Sequence, residues 1–280
     1  MSRSGTQRVV VVTGASSGIG RATAHLLTER GFHVVLAARS TEGLRRAQQE
    51  CPKGSTTVVA TDCADFAQVE HLFRAAARRT GRVDAVVHCA AVLAYGRFED
   101  LPTDVFDATL TVVVHGTANV ARAALHHFAR AGGGRLVVVG SLLGKIATPY
   151  MSSYVTSKWA VHGLVRCLQI EARQTPGIDI SLVSPGGVNT PVYLQAGTYV
   201  GRHGRPPPPI SSPEQVAKII ARRIERPARE TGVGPLNGIT VAGFRFAPMV
   251  FDRIVTPLME VGGLSRAQVD PSPGNVFSPW

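Results

Sequence analysis

The chain has 280 residues, 44% hydrophobic and 18% charged, a composition that suits one α/β domain of about 250 residues with a substantial core and a tail. Its formal net charge of +11 would suit nucleic acid, an acidic membrane surface or an anionic cofactor. The arginine pairs at 45–46, 78–79 and 222–223 sit in separate helix-like stretches, and no aromatic residues interleave with a basic run, so the charge reads as basic helix faces and nucleic-acid binding is disfavoured.

No apolar run approaches the roughly 18–20 residues that cross a bilayer. The opening MSRSGTQRVVVVTG meets a glycine turn after too few apolar residues for a secretory segment, so the expected location is the cytoplasm. Cys51, Cys63, Cys89 and Cys167 show neither C-x-x-C spacing nor a histidine at metal-ligand spacing. They read as reduced, mostly buried thiols, and no metal is expected.

In chain order, a strand at 8–14 (RVVVVTG) leads into a helix at 18–30, then a strand at 33–39 and a helix at 41–50. A strand at 56–62, a helix at 66–79, a strand at 83–90 and a long helix at 104–130 follow. A strand at 135–141, a helix at 154–175 and a strand at 179–185 complete the alternation. The strand runs are β-branched and almost continuously apolar, as parallel strands covered on both faces are. Strands alternating with helices make βαβ units, and right-handed crossovers then give a doubly wound sheet that binds ligands at the carboxyl ends of its strands.

After Pro185 the rhythm changes. Residues 191–212, ending in RHGRPPPPISS, read as a mobile substrate loop with a stiff proline run. Residues 212–226 read as a helix with Ser212 as N-cap and Pro213 at its first position. The last strand is either ETGVG or GITVA, and the pattern does not choose between them. The expected organisation is an arm at 1–7, a single domain at 8–243 and an extension at 244–280 that ends in the irregular tail DPSPGNVFSPW.

Two stretches carry chemistry. TGASSGIG (13–20) joins the first strand to the first helix, where glycines let backbone approach a pyrophosphate and helix amides supply an anion site. In YVTSK, Tyr154 and Lys158 stand four apart on one helical face, with Ser141 thirteen residues before the phenol. The spacing alone fits an ordinary solvated helix face as well as a phenol tuned for proton transfer.

The order of motifs decides between these. T-G-x-x-x-G-x-G at 13–20, Thr61-Asp62, Ser141, Tyr-x-x-x-Lys at 154–158 and SPGGVNT at 184–190 together resemble the short-chain dehydrogenase/reductase family. The resemblance is dense from residue 8 to about 190 and loose over 212–234. It implies a Rossmann-like fold with helices on both faces of a doubly wound parallel sheet, and hydride transfer between a ketone or aldehyde and an alcohol, the substrate being a small molecule. Ser141, Tyr154 and Lys158 would form the catalytic group. A phenol titrates near 10, and a cation close by would bring it toward working pH. The cofactor would rest on Gly14, Ser16, Ser17, Gly18, Ile19 and Gly20, with Asp62 and Cys63 at the adenine and Ala90 beside it. Lys158 would hold the nicotinamide ribose, and Pro185, Gly186, Val188 and Thr190 the carboxamide. The acidic residue that selects NAD is absent at Ala38, and Arg39 follows with Ser40. A guanidinium suits a 2′-phosphate, so NADP(H) is the expected cofactor.

Leu142, Leu143, Tyr150, Met151 and Tyr193 are candidates for an apolar substrate pocket, although core packing explains the leucines equally well. The family also implies a homodimer or homotetramer. Two departures stand out: NNAG appears as HCAA (88–91), and the family's relay asparagine falls on Val113, with His115 expected to face away. They motivate a competing reading, a catalytically silent NADP-binding sensor or interaction protein. A third reading, peripheral membrane contact through the apolar and arginine-bearing segment 244–261, is weakened by Pro248 and Pro257. His126, His127 and His162 read as surface or packed histidines rather than ligands.

Overall fold

The β-branched runs pair into one parallel sheet of seven strands in the computed structural model, which describes residues 7–279. All of the expected N-terminal arm except Gln7 lies outside the described residues. The strands are β1 (Val9–Thr13), β2 (His33–Ala38), β3 (Thr56–Ala60), β4 (Ala85–His88), β5 (Gly134–Val139), β6 (Ile178–Pro185) and β7 (Glu230–Val233). Their order across the sheet is β7-β6-β5-β4-β1-β2-β3, with β1 flanked by β4 (Val10 opposite Ala85) and β2 (Val10 opposite Val34). ETGVG therefore supplies the last strand.

The helices are α1 (Gly18–Glu29), α2 (Thr41–Gln49), α3 (Phe66–Ala77), α4 (Thr103–Leu110), α5 (Gly116–Ala131) and α6 (Ser152–Glu171). After them come the short α7 (Val192–Gln195), then α8 (Pro213–Glu225), α9 (Asn237–Phe246) and α10 (Pro248–Leu258). Successive β1 side chains point to opposite faces. Val10 and Val12 pack with Ala24, Leu27, Leu44 and Ile220 of α1, α2 and α8. Val9 and Val11 pack with Leu72, Val120, Phe128 and Val165 of α3, α5 and α6. Each such fully buried side chain contributes about 1.5–3 kcal/mol, which is why the strand runs show no polar alternation.

Local signals terminate the helices as the sequence predicts. Ser212 accepts from the Gln215 N–H while Gln215 returns to the Ser212 N–H, closing a capping box with Pro213 at the first position. The long helix expected at 104–130 is instead two: a π-helical turn at Thr111–His115 joins α4 to α5.

The chain after Pro185 holds more structure than a loop and a tail. Gly197–Thr198 pairs with Ala94–Tyr95, Ile210–Ser211 with Gly187–Val188, and Arg202–Gly204 with the strand Leu264–Gln268. Helix α9 runs on past residue 244, where the extension was expected to begin, and takes up the GITVA segment. Residues 270–279 are irregular in path but anchored. Ser272 exchanges backbone hydrogen bonds with Thr198, the Asn275 N–H donates to the Gln195 carbonyl at 2.8 Å, and Val276 is buried in the core.

Candidate active site

The carboxyl ends of the strands open into a cavity of about 1050 Å³. Every residue that the sequence assigned to cofactor or catalysis lines it, from Gly14 through Arg39, Asp62, Ala90, Ser141, Tyr154 and Lys158 to Thr190. Leu142, Leu143, Met151 and Tyr193 also line it, and Leu143 packs at the same time against the buried cluster of Leu93, Tyr95 and Met151. Tyr150 does not: it sits at a φ of 67°, and its hydroxyl donates to Glu260 at 2.9 Å.

At the first turn, backbone meets backbone. Gly14 has a φ of +66°, and a Cβ there would lie 2.9 Å from the Ala90 nitrogen; a Cβ on Gly20 would lie 2.2 Å from the Gly14 carbonyl oxygen. Only glycine permits that approach. Ser17 caps α1 without a side-chain hydrogen bond, and the first turn holds no acidic residue, which leaves the leading amides free for an anion. This cradle fits a dinucleotide diphosphate.

Arg39 stands at the far end of the same cavity, where its guanidinium donates to the carbonyls of Asn275 (2.6 Å), Val276 (3.1 Å) and Phe277 (3.3 Å). The tail thereby fixes its direction. Ser40 caps α2, its oxygen accepting from the Gly43 N–H at 3.1 Å. Asp62 accepts from the Ala64 N–H, and Cys63 is buried, its thiol pushed up to about 12 by desolvation. Cys167 is exposed, against the expectation of mostly buried thiols.

The strand end of β5 and the first two turns of α6 bring Ser141, Tyr154 and Lys158 to one wall of the cavity. Ser141 is buried, and its oxygen accepts from the Leu143 N–H at 3.1 Å, which leaves the hydroxyl proton to donate on the Tyr154 side, toward the phenol oxygen or a ligand oxygen beside it. Lys158 is buried with one partner, the Val139 carbonyl, to which Nζ donates at 3.0 Å. Burial lowers its pKa to about 8, and two of its three N–H groups have no partner among the hydrogen bonds described. That unmet donor capacity fits ribose hydroxyls.

Tyr154 behaves differently from the expectation. Its proton affinity is raised above the ordinary value of 10, first by burial and then by Tyr193, while a contact with the Ser141 hydroxyl opposes the rise. Lys158 Nζ stands 5.5 Å from the phenol ring centroid and does not offset the desolvation. The protein's own groups therefore hold Tyr154 as a neutral phenol.

The family described as short chain dehydrogenase matches residues 8–198, the stretch that carries all these groups. The chain belongs to that family. The oxidoreductase YxnA of Bacillus subtilis, named as uncharacterized, is 34% identical over 265 residues, covering 90% of this chain and 72% of the relative. An uncharacterized oxidoreductase of Staphylococcus aureus strain USA300 is 35% identical over 67% of this chain and 80% of its own. Among solved structures, the alcohol dehydrogenase of the archaeon Thermococcus sibiricus, complexed with 5-hydroxy-NADP, superposes with a TM-score of 0.70 at 28% identity, over 81% of this chain and 96% of that one. A variant of actinorhodin polyketide ketoreductase with NADPH gives a TM-score of 0.73 at 26% identity, over 83% and 97%. This short-chain dehydrogenase is accordingly an NAD(P)-dependent oxidoreductase.

The two departures from the family pattern prove to be connected. Thr117 donates to the Val113 carbonyl at 2.6 Å, so the buried His88 must offer its Nε2–H to the Thr117 oxygen at 3.1 Å. His88 Nδ1 then accepts from the Thr13 hydroxyl at 2.8 Å, and Thr13 accepts from the Cys89 N–H at 3.3 Å. Burial first, then Lys158, lowers the His88 pKa to about 3, so the ring is neutral. His88 thus ties β1 and β4 to α5. Val113 itself is buried in the core, while Val112 reaches the cavity and His115 is exposed as expected.

His162, read from the sequence as a surface or packed histidine, packs directly behind Ser141. Its ring lies against Gly140 and Gly144, where a Cβ would come within 2.6 and 2.4 Å of Nε2 and the ring, and Nε2 lies 3.5 Å from the Ser141 nitrogen. A histidine one helical turn after Lys158, opposite a glycine on each side of Ser141, is the only signal that pointed to it.

Proposed function

We propose that this short-chain dehydrogenase is an NADP(H)-dependent reductase of ketones or aldehydes, with Tyr154 as the proton donor. One observation carries the reading: Ser141, Tyr154 and Lys158 line the cavity that the glycine cradle opens, with Tyr154 neutral and Lys158 short of hydrogen-bond partners. The nicotinamide, when bound, supplies the hydride in reduction and takes it in oxidation.

The residues divide the remaining work. Ser141 donates its free hydroxyl proton to the substrate oxygen and orients the carbonyl. As the carbonyl carbon gains hydride, the C=O π pair moves onto oxygen, and Tyr154 Oη transfers its proton there, giving the alcohol and a tyrosinate that is reprotonated from solvent. Lys158, cationic below about pH 8, stabilises that tyrosinate and holds ribose hydroxyls. A neutral phenol at rest suits reduction better than oxidation, which needs the tyrosinate first. Arg39 supports the NADP(H) preference, since no acid stands at Ala38 to accept ribose hydroxyls. The solved alcohol dehydrogenase and ketoreductase that the chain resembles carry 5-hydroxy-NADP and NADPH.

The deciding experiment is NADPH oxidation against a panel of aldehydes and ketones, with Tyr154→Phe as control. Turnover lost in the control is the expected result. NADPH binding without turnover of any compound would instead favour the silent sensor that Val113 and HCAA suggested.

A further inference from the structure

Beyond the catalytic group, the cavity continues beneath the C-terminal helix pair, and its chemistry changes there. From α10 it is lined by Val250, Phe251, Ile254, Val255 and Leu258, one stripe along the helix, while Asp252 and Arg253 do not line it. An apolar stripe turned toward a protein interior is ordinarily covered. Here Val250, Ile254 and Leu258 are 58%, 48% and 63% exposed, and Ile239 and Val261, which line the same space, are each 72% exposed.

The polar groups bordering this region are engaged within the protein. Asn237 donates to the carbonyls of Ser184 and Val233, and Thr240 to that of Leu236. Arg205, the cation of this wall, donates through its side chain to the Val261 and Gly262 carbonyls and through its backbone N–H to Gly263. Among the described residues no carboxylate lines this wall. A ligand here meets mostly hydrocarbon, and the cation at its border, Arg205, is held by three backbone carbonyls. The helix pair is also held in place: Phe244 sits edge-on between Trp159 of α6 and Phe251, and Tyr150 reaches Glu260.

We infer that the substrate carries an extended, uncharged hydrocarbon body that lies under α10 while its oxygen sits at Tyr154. The inference rests on the reductase reading of the site and adds the substrate class. From Val250 to Leu258 the stripe runs about 12 Å, the reach of an extended chain of about ten carbons.

The test uses the full chain with NADPH and straight-chain 2-alkanones from four to twelve carbons, beside the same series ending in a carboxylate. The expected result is a kcat/KM that rises about two- to fourfold per added methylene up to about ten carbons. The carboxylated series should lose most of that gain, and Ile254→Asp or Leu258→Asp should flatten the slope. In parallel, displacement of the neutral dye Nile red by 1-alkanols, with NADP present, reads binding without turnover. Displacement that strengthens with chain length, but no reduction of any ketone, keeps the apolar site and overturns the reductase reading. Turnover that is flat with length, or equal for the carboxylated series, overturns the apolar substrate while sparing the reductase. Sedimentation of the protein with phosphatidylcholine vesicles, together with length-independent dye displacement, also overturns it and assigns the stripe to a membrane surface.

Discussion

The two ends of the cavity are walled by different parts of the chain. At the cofactor end the wall is largely backbone: Gly14, the leading amides of α1, and the strand ends that carry Ser141 and Pro185. At the substrate end it is side chain from α7, α9 and α10, most of it apolar, with Tyr193 and Gln195 of α7 among the polar exceptions. Backbone walls admit few residue types, because a Cβ on Gly20 would strike the Gly14 carbonyl at 2.2 Å. A hydrocarbon wall admits many combinations of Val, Ile, Leu and Phe of similar volume. The first kind of wall leaves a motif in the sequence and the second leaves only composition.

The largest effect should come where the two ends meet. Tyr154→Phe keeps the ring and removes the proton that transfers to the reacting oxygen, so kcat should fall about 10²–10⁴-fold while NADPH still binds. Single-turnover reduction alongside a fluorescence titration of NADPH measures both, and near-normal kcat would return YVTSK to an ordinary helix turn.

Lys158 should show that the cofactor end is built against stability. Its folded pKa of about 8 lies below the ordinary 10.5, so between those values the unfolded chain binds more protons than the folded protein. Stability therefore rises with pH through that window, and at neutral pH the buried cation costs up to about 3 kcal/mol. Lys158→Met should raise the Tm at pH 7, remove the rise between pH 8 and 10.5, and lower both kcat and NADPH affinity. A Tm that falls on substitution would mean that the Val139 contact outweighs the desolvation.

How legible each end was follows from the same contrast. The strands, the Ser212 cap, the glycine cradle and the group Ser141, Tyr154 and Lys158 were readable because backbone geometry or proton chemistry restricts those positions. GITVA was ambiguous because its β-branched residues favour a strand, yet it lies in α9, where Ile239 faces the cavity and tertiary placement overrides propensity. The segment 191–212 looked like a loop because its pairings are only two or three residues long and reach partners far along the chain. His88 was visible as a departure, but its bonds to Thr13 and Thr117 cross 75 and 29 residues and leave no local pattern.

Arg39 sharpens the comparison at the adenosine end. A charge-assisted contact with a 2′-phosphate is worth about 1.5–3 kcal/mol, a tenfold or larger preference for NADPH over NADH. Arg39→Leu should abolish it, and Ala38→Asp with Arg39→Leu should reverse it. Because Arg39 also binds three tail carbonyls, the substitution should lower stability as well, so the ratio of the two dissociation constants is the proper readout. Equal affinities in the wild type would overturn the reading of Ala38-Arg39.

The smallest effect should come from the His88 chain, which lies behind the cofactor end and touches neither ligand. Thr117→Val leaves the buried His88 Nε2–H without an acceptor, which costs about 1–3 kcal/mol, whereas Thr117→Ser keeps the hydroxyl and should recover most of it. The ring's pKa of about 3, against an ordinary 6.5, means that the unfolded chain binds the extra proton first as pH falls between those values. Stability must therefore decline from pH 6.5 toward 3, and His162, at about 4, adds to the decline over the upper part of that range. His88→Gln removes one of the rings that burial holds below the ordinary value, a set that also includes His33 and His127, so its Tm at pH 7 should be lower than wild type but should fall less steeply down to pH 4. Parallel slopes for the two proteins would show that His88 is not the neutral, bridging ring that Thr13 and Thr117 require.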